Sequence, residues 1–205
     1  MDLYEFDRGM RAAGLQLLAG VDEAGRGPLA GPVYAAAVIL PEPCDIVGLR
    51  DSKKLTPKRR ETLSAEIREK AVAWAIASAD EDEVDAYNIL VASHLAMNRA
   101  VEALEIRPQL VLVDGNRDPM LPVESRLIVR GDDCSACIAA ASILAKVERD
   151  AHLRKLDEEY PQYGFAKHKG YPTKGHYEML DKYGPCAAHR RSFLVKWWKR
   201  HEHED

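Results

Sequence analysis

The chain has 205 residues, a formal net charge of −4 and 46% hydrophobic residues. That composition excludes a disordered chain, no apolar run is long enough to span a bilayer, and the negative balance argues against nonspecific coating of nucleic acid. The length suits one substantial core with a smaller appendage, and the acidic residues 1–7 lack the basic and apolar regions of a signal peptide, so a cytoplasmic protein is expected.

Residues 17–21 form the first apolar run, read as a buried strand over about 16–23. It ends on Asp22 and Glu23 and passes into Gly25-Arg26-Gly27. Carboxylates at a buried strand end are costly unless a cation pairs with them, and a divalent metal is the cation that also supports phosphate chemistry. The arginine and the glycine amides supply what a polyanion needs nearby. Gly20 and Gly25 have the spacing of a nucleotide P-loop, but Arg26-Gly27 stands where lysine and a hydroxyl residue are required. The glycine pattern of a dinucleotide site is also absent. A solvated surface turn remains the plain alternative. Adjacent strand residues point to opposite faces. Asp22 and Glu23 therefore reach one metal only if the strand bends or bulges, or if Glu23 acts through its carbonyl or a water. Asp22 is expected to be the shared ligand and Glu23 the weakest.

A second strand is expected over 31–40, antiparallel to the first across a turn with Pro28 and Gly31, and a third over 71–79. Thr56-Pro57 starts a helix that runs to Ala71. A helix over 81–105 follows, with a break near Tyr87-Asn88. Strand-like runs over 109–114 and 126–130 end on Asp114 and on Asp132-Asp133. Three strand ends thus deliver acid, and sites in α/β sheets collect at the carboxyl ends of strands. Such a cluster suits two hard cations. A long helix over 135–159 has an alanine-rich half for packing and a charged half for solvent. Cys134 and Cys137 have ligand-like spacing without a complementary pair, and Cys137 reads as core. The remainder holds a loop through Tyr171, short helices from Lys174 and His189, and a frayed tail over 199–205. Basic residues cluster at Lys53, Lys54, Lys58, Arg59 and Arg60, at Lys167, Lys169 and Lys174, and from Arg190 to Arg200, as phosphate contacts require. His168 and His176 read as structural or phosphate-contacting, with help in proton transfer by either one the alternative.

The ordered set of words is similar to the bacterial ribonuclease HII family. It comprises Asp22-Glu23-Ala24-Gly25-Arg26-Gly27-Pro28, Asp51-Ser52-Lys53-Lys54-Leu55, Val113-Asp114-Gly115 and Gly131-Asp132. It continues with the stretch from Ala139 through Ser142 to Glu148-Arg149-Asp150, and with Lys169-Gly170-Tyr171. The resemblance spans about residues 15–193. Arg130 departs from the family's usual lysine, and Asp133 is an extra acid.

The resemblance implies an α/β fold of the ribonuclease H-like kind: a mixed five-stranded sheet, flanking helices and a C-terminal helical extension. Residues 1–159 would be the catalytic core, and 160–205 a loop and helical region completing the substrate groove. It implies a metal-dependent endoribonuclease that hydrolyses RNA in RNA/DNA hybrids and incises 5′ to ribonucleotides embedded in duplex DNA, the chemistry of ribonucleotide excision repair. Asp22, Glu23, Asp114 and Asp132 would be the catalytic ligands of two Mg²⁺ or Mn²⁺ ions. Gly25, Arg26, Gly27 and Tyr171 would read the ribonucleotide junction through its 2′ hydroxyl, with Lys53 and Lys169 on phosphates. A monomer is expected, with no membrane partner. After Phe193 there is no recognisable clamp-binding tail, residues 194–198 being where a nonstandard one would lie. Two other classes stay open: a different metal-dependent nuclease on a similar scaffold, and a noncatalytic nucleic-acid-binding module.

Overall fold

The computed structural model describes residues 2–11 and 14–201. Its five strands are β1 (Leu18–Ala24), β2 (Val33–Ile39), β3 (Ala73–Ala79), β4 (Leu110–Asp114) and β5 (Ser125–Ile128), in sheet order β3-β2-β1-β4-β5. The first three are antiparallel, and β4 and β5 run parallel to β1. The central strands are buried on both faces, which explains why they read as continuous apolar runs.

Two long helices cover the faces. α3 (Glu81–Glu102) packs on Ala19, Val21, Ala35, Ala37, Val111 and Val113. α4 (Ala136–Glu159) lies on the opposite face, with its alanine-rich half against Ala36 and Val38 and Ile138 against Leu18 and Leu112. The fit is close at Gly20, where a Cβ would collide with the backbone of Cys137. Cys137 is fully buried, as its reading as core requires. α2 (Pro57–Lys70) flanks α4 and begins where Thr56 Oγ1 accepts from the Arg59 amide. α3 starts in a capping box of Asp80 and Glu83, and Asn88 breaks it with φ 70°. The Asn88 side chain accepts from the Leu90 and Val91 amides and so recaps the second half.

Several expectations need correction. α1 (Leu3–Arg11) was not foreseen; its buried Asp7 accepts from the Cys137 amide at 2.9 Å and caps α4. The charged half of α4 is not a solvated face, because Arg149 and Asp150 are buried. The C-terminal part contains α5 (Phe165–His168), α6 (Lys174–Tyr183), a 3₁₀ turn at Arg191–Phe193 and α7 (Val195–His201), so no helix starts at His189. Lys199, Arg200 and His201 belong to α7, and the rest of the expected frayed tail lies outside the described residues. Leu194 and Trp197 are buried with Tyr163, Phe165 and Leu180, so residues 194–198 are a packed element, not a free tail. Among the described residues, no helix is long and apolar enough to cross a membrane.

Gly20→Ala is expected to destabilise the protein by about 3 kcal/mol or more, because neither backbone at the β1–α4 contact yields cheaply. Urea denaturation measures it, and a loss below about 1 kcal/mol would contradict the contact.

Candidate active site

The end of β1 keeps regular pairing with β2 through Asp22↔Ala36, Glu23↔Ala35 and Ala24↔Tyr34, so of the alternatives left open for Glu23 the bulge is absent. Alternation therefore places Asp22 on the α4 face and Glu23 on the α3 face. In the parallel pair, Val21 stands opposite Val113, so one step on Asp114 comes beside Asp22 on the same face. Asp132 was expected at a strand end. β5 stops at Ile128, Arg130 turns left-handed with φ 53°, and Asp132 sits in the 3₁₀ turn Gly131–Asp133 that leads into α4. The Gly131 amide donates to Asp114 Oδ1 at 2.6 Å, which ties the two acidic segments together.

Electrostatics mark this end of the sheet as costly. Asp22 is only 5% exposed. Burial, then the charges of Glu23 and Asp114, push its carboxyl well above the usual range. Burial also raises Glu23, against the pull of Arg26 at 3.3 Å. Asp132 is raised to about 6 by burial and then by Asp114 and Asp51. Lys53 is the cation among them. Burial lowers its ammonium, but Asp51, Asp22, Asp132 and Asp114 outweigh it and raise the group. Asp133 points elsewhere and forms an ion pair with Lys54 at 2.5 Å.

One cavity of about 290 Å³ opens above Asp22 and Glu23. Gly25, Arg26 and Gly27 form one wall, Lys53 and Ser52 another, and Ser142 and Lys146 of α4 the floor. Tyr171 closes it from the C-terminal region, its ring beside Gly27, where a Cβ would stand 3.6 Å from Tyr171 Cε1. Lys169 is not brought here. It lines a neighbouring cavity of about 370 Å³ with Arg60, Lys146, Asp150, Arg154 and Lys167. Glu23 and Arg26 also line a smaller hollow with Asp114 and His94 on the α3 side.

Two buried guanidiniums hold the walls, and the sequence reading missed both as structural parts. Arg190, expected in a surface basic cluster, is fully buried. It donates to the carbonyls of Gly25 at 2.7 Å, Gly31 at 2.8 Å, Pro28 at 3.0 Å and Arg26 at 3.3 Å. Arg149 donates to the carbonyls of Lys169 at 3.1 Å and Ala30 at 3.2 Å. Neither has a carboxylate partner among the described residues, and burial lowers both, Arg190 to about 10. Gly25 has φ 104°, and a Cβ there would strike Arg149 Nε. The available signal was helical spacing: Ser142, Lys146 and Arg149 fall on one face of α4. His168 and His176 contact backbone carbonyls behind Tyr171 and do not reach the cavity.

The donor set is all hard oxygen, which fits Mg²⁺ or Mn²⁺. As the side chains stand, no three of the described His, Cys, Asp and Glu residues converge on one point. The Arg26 contact occupies Glu23 Oε1 and the Gly131 amide occupies Asp114 Oδ1, which leaves the second oxygen of each carboxylate unused by these bonds.

The chain is similar to known proteins over most of its length. The family described as Ribonuclease HII matches residues 19–198. Ribonuclease HII of Idiomarina loihiensis is 61% identical over 177 residues, covering 86% of this chain and 95% of that protein. The protein of the same name from Vibrio parahaemolyticus is 54% identical, covering 88% and 85%. Among solved structures, the ribonuclease H2 of Pyrococcus horikoshii superposes with a TM-score of 0.75 at 30% identity, covering 91% of this chain and 99% of that one.

Asp22→Asn is expected to stabilise the metal-free protein. A raised carboxyl pKa means the folded state binds the proton more tightly, so wild-type stability falls as pH rises from about 4 through the folded value. The variant's gain in Tm should be largest near pH 8 and vanish toward pH 4; a variant less stable than wild type at pH 8 would contradict it. The chain belongs to the ribonuclease HII family, endonucleases of the ribonuclease H type.

Proposed function

We propose that this chain is a metal-dependent endoribonuclease that hydrolyses the RNA strand of RNA/DNA hybrids and incises 5′ to ribonucleotides embedded in duplex DNA, leaving 3′-hydroxyl and 5′-phosphate ends. One observation carries the reading: buried Asp22 and the Gly25-Arg26-Gly27 turn share one cavity with Tyr171 from the far end of the chain. Their shared cavity supports the reading that a hydrolytic centre and a sugar-reading surface act on one bond.

Asp22, Asp114 and Asp132, with Glu23, are the residues that would hold two Mg²⁺ or Mn²⁺ ions. Bound there, such ions activate the attacking water and neutralise the departing 3′ oxygen. Asp22, placed between Asp114 and Glu23, is the ligand suited to both positions. Lys53 lies close enough to these acids to follow a phosphate that approaches them. The amides and small size of Gly25 and Gly27 let a sugar–phosphate backbone come close, and Arg26, once released from Glu23, offers a guanidinium to it. Tyr171 sets a ring and a hydroxyl against the ribose, where the 2′ hydroxyl separates RNA from DNA. Lys169 and Lys167, in the adjoining cavity, suit phosphates further along the strand.

The same observation supports reading 1–159 as the catalytic core and 160–205 as the part that completes the groove. A noncatalytic binding module is disfavoured, because clustered carboxylates repel phosphate unless cations are present.

The test is a rate series on duplexes of one sequence with a single ribonucleotide, a long RNA stretch, or DNA only. With Mg²⁺ or Mn²⁺ the first two should be cut and the third left intact, because a site built to bond a hydroxyl rejects the analogue lacking it by up to about 10⁴–10⁵. Asp22→Asn, Asp114→Asn and Asp132→Asn should each abolish most turnover and largely spare hybrid binding, and Asp133→Asn should be mild. Turnover that persists in chelator, or an inactive Asp133→Asn beside an active Asp132→Asn, would refute the assignment.

A further inference from the structure

Behind Tyr171 lie three histidines for which the hydrolysis has no use. His176 is fully buried and His189 is 3% exposed. His176 Nε2 is 3.0 Å from His189 Nε2, and His176 Nδ1 is 3.0 Å from the Tyr171 carbonyl oxygen. The far end of the row is Cys186, whose amide nitrogen lies 3.0 Å and whose Sγ lies 3.2 Å from His189 Nδ1.

The amide contact sets the tautomers of the row, with the Cys186 thiol left to donate its S–H to the same nitrogen. A backbone amide only donates, so His189 Nδ1 must accept. A neutral His189 then carries its proton on Nε2 and donates it to His176 Nε2. His176 in turn carries its proton on Nδ1 and donates it to the Tyr171 carbonyl. The assignment follows from the partners. Burial pulls both imidazoles down to about 4, so the row stays neutral at working pH. His168 obeys the same logic: its Nδ1 accepts from the Gly170 amide at 3.2 Å, and its Nε2 donates to the Tyr163 carbonyl at 2.8 Å. It stacks on His176 with ring centroids 4.3 Å apart.

What the row holds is a strained turn. Lys169 and Gly170 are both left-handed, with φ 52° and 76°, a conformation that a lysine adopts only at a cost. A Cβ at Gly170 would stand 2.6 Å from the Ala30 carbonyl oxygen, so the turn is also pressed against the Gly25–Gly31 wall. Tyr171 itself is 42% exposed and lacks a core of its own. Its ring stands beside Gly27 and 6.0 Å from the Arg149 guanidinium, so the backbone that carries it is a main constraint on its place.

We propose that the relay from the Cys186 amide through His189 and His176 to the Tyr171 carbonyl sets the position of the Tyr171 ring and thereby the discrimination of a single ribonucleotide. His176 and His189 are positioning residues for selectivity. The inference rests on the reading of Tyr171 given above, and its test separates the two.

The readout is the ratio of kcat/KM on a single-ribonucleotide duplex to kcat/KM on a long RNA/DNA hybrid. At one ribonucleotide a single sugar marks the site, whereas a long hybrid offers many registers. His176→Phe keeps a ring against His168 but removes the donor to Tyr171 and leaves the His189 Nε2 proton without an acceptor. His176→Asn keeps a donor close to where Nδ1 stands. The ratio should fall by about tenfold or more in His176→Phe, as one misplaced hydrogen bond allows, and stay within about threefold of wild type in His176→Asn. Tyr171→Ala, run in parallel, should lower the ratio at least as far.

A lowered ratio in Tyr171→Ala beside an unchanged one in His176→Phe overturns the relay alone. An unchanged ratio in Tyr171→Ala removes the reading of Tyr171 and the relay's purpose with it. Equal falls in the Phe and Asn variants, tracking their loss of Tm, would make His176 a packing residue. Nitrogen NMR of the wild type needs no variant: it should find His176 protonated on Nδ1 and His189 on Nε2, and the opposite tautomers would overturn the relay.

Discussion

The carboxyl group of Asp22 sits at the end of the central strand, almost out of contact with water, with the charges of Glu23 and Asp114 beside it. Desolvation and like-charge repulsion both act against its ionised form. An apolar residue there would give a more stable sheet, so this point is a standing cost that the fold accommodates. Lys53 answers part of it from the turn before α2, and the Ser142 hydroxyl on α4 another part. The remaining imbalance is of the kind that a divalent cation would offset. The same register that buries Asp22 brings Asp114 alongside, and the 3₁₀ turn before α4 adds Asp132.

The wall opposite the acids has the reverse problem. Among the described residues, Arg149 and Arg190 are buried cations whose hydrogen bonds go to carbonyl oxygens. Between them they join the turn after β1 to the Lys169-Gly170-Tyr171 turn, which are distant in sequence. The Leu29 amide adds a bond to the Gly170 carbonyl at 2.8 Å. Left-handed residues gather here, at Gly25, Gly31, Lys169 and Gly170. The glycines adopt it without cost, whereas the strain at Lys169 persists because surrounding bonds over-determine it.

Much of the fold was legible in the chain. Continuous apolar runs gave β1, β2 and β4 because central strands are buried on both faces, and Thr56-Pro57 marked a helix start through the Thr56 side-chain cap. Asp22 and Asp114 were legible as acids closing such runs. Other features depend on partners distant in sequence. α1 is short and polar, and its role rests on Asp7 meeting the Cys137 amide. Arg190 sits among other cations and looks like surface until four carbonyls are seen around it. Composition alone does not separate Asp132 from Asp133; the resemblance pointed to Asp132, and the turn geometry sends it toward Asp114 and Asp133 to Lys54. The histidines behind Tyr171 carry no periodic signal, since α6 and the loop before His189 meet only in the folded chain.

The account depends on the acids at the end of β1 being stabilised by divalent cations. Thermal unfolding of the wild-type protein across a Mg²⁺ titration, with ionic strength held constant by NaCl, tests that claim most directly. Ions that bind the folded state alone should raise Tm steadily with Mg²⁺ concentration. The gain should be larger at pH 8 than at pH 5, where protons compete for Asp132 and Asp22. A Tm that stays flat, or that follows ionic strength alone, would contradict the account.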